Sequence, residues 1–317
     1  AQKLPLALPR GKTLGAREEA GRLEICFDNG KASFDLATGR MVRFTYQGRD
    51  LLNPAPVSGE PGFFPNIYRA PIDNDMNIRK AWEKAGYDAY EAVLLSMRTK
   101  TDALVPKGSE QPDDRITVET VLQLRAKDRD LFRVELSYCF ASSGAFTLRA
   151  QLDPALSPHA KPEIARFGVL FEMPECFRKV AYYGMGEKEN LPDFKAQSLM
   201  GVFEAGVSDL HEDYIRPQDN GNHTGTRWLK LTDESGAGWM IFRSEQAFTF
   251  NAHPYTQKLL QKAGHREDLH DEHTTAVTID GFTRGAGSNS CGPEPWKNFV
   301  ISAKDGLAFE LNFIPLV

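Results

Sequence analysis

The chain has 317 residues, 41% of them hydrophobic and 26% charged, enough apolar material for a sizeable core and too much for a disordered chain. A formal net charge of -5, with no dense cluster of lysine and arginine, gives no electrostatic support to a nucleic-acid or anionic-membrane partner. No apolar run reaches the roughly 18 residues of a membrane span, and the opening residues lack the charged-then-apolar layout of a secretion signal, so a cytoplasmic protein is expected.

Residues 1–20, which begin AQKLPLALPRGKTLG, are punctuated by proline and read as a linker. With no initiating Met, the chain reads as a processed or excised piece of something longer. Residues 21–317 read as one unit, because no interior linker divides them. Their dominant signal is period two broken by turns. RLEICFD, KASFDLATGRMVRFTYQ, ITVETVLQLRA, LFRVELSYCFASSGAFTLRAQLD, RWLKLTDESGAGWMIFRS, TAVTIDGF and LAFELNFI alternate apolar with polar residues, as half-buried strands do. Two stretches read as helical: IRKAWEKAGYDAYEAVLL from Ile78, interrupted by Gly86, and YTQKLLQKAG from Tyr255, ended by a glycine. No β-α-β alternation and no fixed repeat is present. The pattern predicts an all-β fold of stacked antiparallel sheets with one or two short helices.

The candidate chemical clusters are weak one by one. Cys26, Cys139, Cys176 and Cys291 are scattered without a C-x-x-C pair, which argues for buried free thiols rather than a zinc site or a disulfide framework. The run DNDMN, Asp73 to Asn77, has the spacing of calcium ligands, but Ile78 and Lys84 stand where an EF-hand loop needs Gly and Glu. It reads instead as an acidic turn capping the helix that starts near Ile78. His265, His270 and His273 in HREDLHDEH lack the H-E-x-x-H spacing and read as a charged surface loop, so no metal site is expected. Glu187, Glu189 and Asp193 raise glycosidase chemistry, which for retention needs two carboxyl groups about 5 to 5.5 Å apart. Proximity in sequence does not supply that geometry, so these read as loop carboxylates or acceptors for backbone amides. Trp82, Trp228, Trp239 and Trp296 read as core rather than as sugar platforms. GAGSNSCGPEP, Gly285 to Pro295, fits neither G-x-G-x-x-G nor G-x-S-x-G and has prolines where a helix would have to start. It reads as a tight loop that exposes its backbone.

Taken together the motifs form a recognisable series. NIYRAPIDNDMN before a Trp-containing helix, YYGMGEKENLPDFKA, YIRPQDNGNHTGTRWL, NAHPYTQKLLQKAGHREDL and IDGFTRGAGSNSCGP stand in the order found in the C-terminal, small-chain domain (domain 5) of the β-galactosidases of glycoside hydrolase family 2. From about Gly21 to the end the chain resembles that family. The resemblance implies a large antiparallel super-sandwich, galactose mutarotase-like, within an enzyme that hydrolyses terminal β-D-galactosides with retention. It places the catalytic glutamates, and a divalent cation such as magnesium, on a separate barrel domain or large subunit. This chain would then hold no catalytic residue and no cofactor of its own, and would be inactive alone. The partners implied are that catalytic part, a galactoside at the shared pocket and further copies in an oligomer.

By motif order, GAGSNSCGPEP reaches the pocket rim with Ser288, Asn289, Ser290, Cys291 and Gly292. Where the best-known member has a sugar-stacking Trp, this chain has Cys291 followed by Gly292, which implies a wider, less selective aglycone side. Arg69, Asp73, Asn74, Asp75, Glu189, Asp193, Gln218, Asn220, Asn222 and Arg227 match motif positions and read mainly as buried hydrogen-bonding groups that fix loops near the domain interface. Leu191 departs from the family pattern and puts in doubt the contacts of Glu189 and Asp193. Two further readings stand beside this one. The chain could be a free carbohydrate-binding module, or an aldose epimerase needing a histidine base, for which His223 and His253 are the nominees, though both read more readily as loop donors.

Overall fold

Residues 11–104, 113–154, 157, 159–288 and 292–317 are described by the structure, a computed structural model. The first strands, β1 (Leu14–Glu19), β2 (Arg22–Phe27), β3 (Gly30–Asp35), β4 (Met41–Tyr46) and β5 (Arg49–Asp50), form an antiparallel meander in chain order. Two of its turns, Ala20-Gly21 and Gln47-Gly48, have both residues at positive φ, the backbone twist that matches paired strands. Leu14–Glu19 lie inside the span expected to be a linker, yet they pair along their whole length with β2. The expected boundary at residue 21 therefore falls within a hairpin.

The chain continues through β6 (Phe64–Asn66), α1 (Arg79–Ala85), β7 (Glu91–Leu104), β8 (Asp113–Ala126), β9 (Arg129–Ala141) and β10 (Phe146–Leu152). Next come β11 (Glu163–Ile164), β12 (Arg166–Pro174), β13 (Lys179–Gly186), β14 (Leu199–Gly206), β15 (His223–Thr226) and β16 (Trp228–Thr232). The last elements are β17 (Gly238–Phe242), β18 (Phe248–His253), α2 (Gln257–Lys262), β19 (Thr274–Thr283), β20 (Ile301–Ser302) and β21 (Leu307–Leu316). A nine-stranded sheet runs β14-β13-β16-β17-β21-β10-β9-β8-β7, a five-stranded sheet runs β15-β18-β19-β12-β6, and β11 pairs with β20.

The nine-stranded sheet is one layer, and both five-stranded sheets pack on the same face of it. Phe140, Phe146 and Phe313 are opposite one another in register and so share that face. Phe27 and Phe34 of the meander lie 6.3 and 6.0 Å from Phe140, and Phe44 lies 5.8 Å from Phe146. Phe171 of the other sheet lies 6.3 Å from Phe313, with Phe63 wedged 4.8 Å from Phe171 and 5.3 Å from Phe313. The all-β, antiparallel prediction holds. The strands recognised in sequence are mainly those with this one-sided burial.

Among the described residues two α-helices form, and both are short. α1 stops at Gly86, which takes φ 85° and accepts the left-handed conformation that closes a helix. The end of the stretch expected to be helical, from Glu91, pairs instead with β8 as β7. Thr256 caps α2, its hydroxyl oxygen accepting from Leu259 N at 3.2 Å. The thiols of Cys26, Cys139 and Cys176 are free but not buried as expected: two are half-buried and Cys176 is exposed. Cys139 pairs with Thr147 on the polar face of the nine-stranded sheet, which explains its exposure. Among the described residues no helix is long and apolar enough to cross a membrane.

Candidate functional site

The β15-β18-β19-β12-β6 sheet has two unlike faces, both buried. Phe250, Ala252, Val277, Ile279, Val169 and Phe171 meet the core. The alternate positions, Thr249, Asn251 and His253 on β18, Thr278 and Asp280 on β19 and Glu172 on β12, are polar and shielded from solvent. A buried polar face needs partners, and the segment 218–222 supplies several. His253 Nε2 donates to the Asn220 carbonyl at 3.0 Å, and Asn251 Nδ2 donates to Asn222 Oδ1 at 3.2 Å. Asn222 Nδ2 and Arg166 Nη2 donate to Asp219 Oδ2 at 2.8 and 2.7 Å. Asp219 N then donates to the Ala70 carbonyl at 3.0 Å, tying this segment to the residues before α1.

That tie leads to the glycine-rich loop. Arg69, wholly buried, donates twice to Asp75, at 2.9 and 2.8 Å, and also to the carbonyls of Arg284 and Gly285, at 3.1 and 3.3 Å. Asn74 Nδ2 donates to the Gly287 carbonyl at 2.8 Å. From the other side the Asp193 carboxylate accepts from Ala286 N and Gly287 N, both at 2.8 Å. A Cβ at Gly285 would lie 2.3 Å from Asp193 Oδ2, so this close approach requires glycine. Arg284 donates to Glu163 and Glu294, both at 3.0 Å, and Ser288 N donates to the Pro293 carbonyl at 3.0 Å, which pins the loop's neck. Three side chains from two distant segments, Arg69 and Asn74 in one and Asp193 in the other, thus grip one short stretch of backbone by its amides and carbonyls.

Of the expected rim residues, Ser288 and Gly292 are exposed at this neck, while Asn289, Ser290 and Cys291 lie outside the described residues. Among the expected supporting residues, Arg69, Asp75, Gln218, Asn220 and Asn222 are buried. Gln218 Oε1 accepts from Asp73 N at 2.7 Å, and Asn220 Oδ1 accepts from Glu212 N at 3.1 Å. Glu189 accepts from Gly221 N at 2.8 Å and from the Tyr214 hydroxyl; burial holds its carboxyl above the usual carboxylate range. Glu189 and Asp193 are therefore acceptors for backbone amides, and Glu187 is exposed.

Three expectations are corrected. Asp73 and Arg227 are exposed rather than buried. Arg227 follows Thr226, which faces inward, and so points out; only its amide is engaged among the described residues, donating to the Tyr183 carbonyl at 2.7 Å. The DNDMN turn does not cap α1, whose N-terminal Ile78 has no side-chain cap; Asp75 is instead the counter-ion of Arg69. Trp82 and Trp239 are core, but Trp296, just after the loop, is 74% exposed.

His265, His270 and His273 are exposed. Glu175, Asp271 and His273 bring three ligand atoms within 4.8 Å of one another, but both Asp271 oxygens already face Arg178 at 2.8 and 3.0 Å. His223 and His253 are buried, and burial lowers both to about 4, which keeps them neutral. His223 Nδ1 pairs with the Tyr182 hydroxyl at 3.1 Å. Asp280 is pushed up to about 7 by burial, with Arg166 3.5 Å away. Arg166, Asp219, Asp280 and Arg284 were not singled out in sequence. The available signal was an ionisable residue inside an apolar strand, as in ARFGVLF and TIDGF.

The chain matches the family described as beta galactosidase small chain over residues 28–313. It is similar to a protein named beta-galactosidase from Actinobacillus pleuropneumoniae, 30% identical over 314 residues that cover 98% of this chain and 28% of that protein. A beta-galactosidase from Staphylococcus xylosus is 30% identical over 250 residues, 78% of this chain and 24% of that one. The chain spans about a quarter of the length of these curated relatives. Among solved structures it is similar to galactose 1-epimerase from Lactobacillus acidophilus NCFM, with 9% identity, TM-score 0.49 and coverage of 97% and 98% of the two chains. The GalM/aldose epimerase homologue from C. elegans gives 10% identity, TM-score 0.46 and coverage of 95% and 98%. By its sequence match along nearly its whole length, the chain belongs to the β-galactosidase small-chain family.

Proposed function

We propose that this chain is the non-catalytic part of a β-galactosidase that braces the catalytic part and lends the loop around Ser288–Gly292 to the rim of the sugar pocket. The observation that carries this reading is the grip on residues 284–287 by Arg69, Asn74 and Asp193. A loop held at its base by hydrogen bonds from Arg69, Asn74 and Asp193 loses little further entropy on meeting a ligand. The exposed Ser288 and Gly292 can then offer amides and small side chains to a polyhydroxylated substrate. Retaining hydrolysis, and any divalent cation it uses, belong in this reading to the larger part of the enzyme.

The docking surface we assign is the edge of the nine-stranded sheet. β14 is its terminal strand and exposes Leu199, Met200 and Val202 at 77%, 46% and 63%. Unprotected apolar edges are aggregation-prone, and proteins normally cover or charge them. The occupant we assign is the remaining three-quarters of the polypeptide seen in the relatives. The test is Asp193→Ala in the complete enzyme. Releasing the two amides should raise KM for lactose more than it lowers kcat; an unchanged KM would remove the rim role.

A further inference from the structure

A cleft of about 550 Å³ opens between β6, β12 and α2, and none of the described residues of the rim loop lines it. Its apolar lining includes aromatic rings: Phe64 stacks on Tyr90 at 5.3 Å, with Tyr68 and Tyr87, both almost wholly buried, beside them. Its polar lining is unevenly satisfied. Glu172 accepts from Val57 N, Ser58 N and the Thr274 hydroxyl, and Lys258 donates to the Ser58 carbonyl at 2.7 Å. The hydroxyls of Tyr87 and Tyr90 donate to the carbonyls of Lys161 and Pro65. The Tyr68 hydroxyl is different: the residue is 1% exposed and this oxygen has no hydrogen-bond partner. A buried hydroxyl left without a partner is costly, so such groups normally meet a ligand or water.

We infer that this cleft is a second carbohydrate site, separate from the rim, which takes a neutral sugar of one or two rings. Its volume lies within the usual range of ligand pockets, roughly 300–1,000 Å³. Aromatic rings match the apolar C–H face of a pyranose. The groups left for recognition are the Tyr68 hydroxyl, the Gln257 amide NH₂ and the side chains of Asp88 and Lys262, which are not paired with other side chains among the described residues. Donors and acceptors are mixed and the two charges cancel. A phosphate or carboxylate ligand would want an excess of cations, whereas a polyol uses this mixture directly.

This site stands independently of the rim loop, so its test uses the 317-residue chain without any catalytic part. Calorimetric titration with lactose, methyl β-D-galactopyranoside and methyl β-D-glucopyranoside is expected to give saturable binding of at least one. Tyr68→Phe, which removes one hydroxyl and keeps the ring, and Gln257→Ala should each weaken it about five-fold or more, the scale of one lost hydrogen bond. Asp193→Ala, which loosens the rim, should leave it unchanged. As a measurement on the unaltered chain, hydrogen exchange should slow in the α2 segment when the bound sugar is added. No binding of any of the three sugars up to about 50 mM, a concentration that detects even millimolar affinity, would overturn the inference. So would binding that survives both cleft variants and is lost with Asp193→Ala, or a hydrogen-exchange pattern untouched at α2. None of these outcomes bears on whether the chain completes a galactosidase.

Discussion

Asp193 shows what a single side chain does here. Its two oxygens hold the amides of residues 93 and 94 positions away, and nothing in local spacing announces that reach. It was legible in the sequence only through motif order, as were Arg69 and Asn74. Beyond the loss in KM expected for Asp193→Ala, Asp193→Asn keeps one carbonyl acceptor and should recover part of the loss, a rescue that kinetics on the two variants would reveal. His253 yields a second prediction. It is held near 4 by burial, below the ordinary value of 6.5, so between those values the unfolded chain binds more protons. Its contribution to stability is full above about pH 6.5 and is lost as pH falls toward 4. His253→Gln keeps a donor for the Asn220 carbonyl and should flatten that acid loss, seen as urea midpoints that fall less between pH 7 and pH 5 than in the parent. Asp280 acts in the opposite direction. Raised to about 7, it favours the folded state below its unfolded value of 3.8, and that contribution is lost as pH rises through 7.

Among the elements, legibility followed one-sided burial. β9 and β10 alternate because one face meets the core and the other meets water: the register pair Tyr138 and Leu148 is buried, and the next pair, Ser137 and Arg149, lies on the outer face. β12 was missed because RFGVLFEMP is buried on both sides and shows no alternation. β18 alternates, as FTFNAH, but its polar positions are buried by the 218–222 segment, a tertiary fact that six residues cannot carry. The over-long first helix has a comparable cause: periodicity continued past Gly86, but the backbone there is left-handed. Gly86→Ala tests this. It forces a Cβ into the φ 85° position, 2.5 Å from Ala126 Cβ, and should cost about 1–2 kcal/mol of stability by denaturant unfolding.

At the scale of the molecule, the nine-stranded sheet and both five-stranded sheets pack around one core among the described residues, and Phe146 lies at its centre. It touches Phe44 of the meander, Phe63, and Phe140 and Phe313 within its own sheet. Phe146→Ala should cost about 3–5 kcal/mol and be read as a large drop in melting temperature. The apolar edge at β14 predicts a different outcome: Val202→Lys should leave the melting temperature of the isolated chain nearly unchanged while weakening its association with the catalytic part. The measurement that bears most directly on the account is reconstitution. The chain and a catalytic portion lacking it are purified separately, and aryl-galactoside hydrolysis is followed for each alone and for the mixture. The account predicts negligible turnover by this chain and a large gain on mixing that rises with its concentration to saturation. Sustained hydrolysis by the chain alone, or a mixture no faster than the catalytic portion by itself, would contradict it.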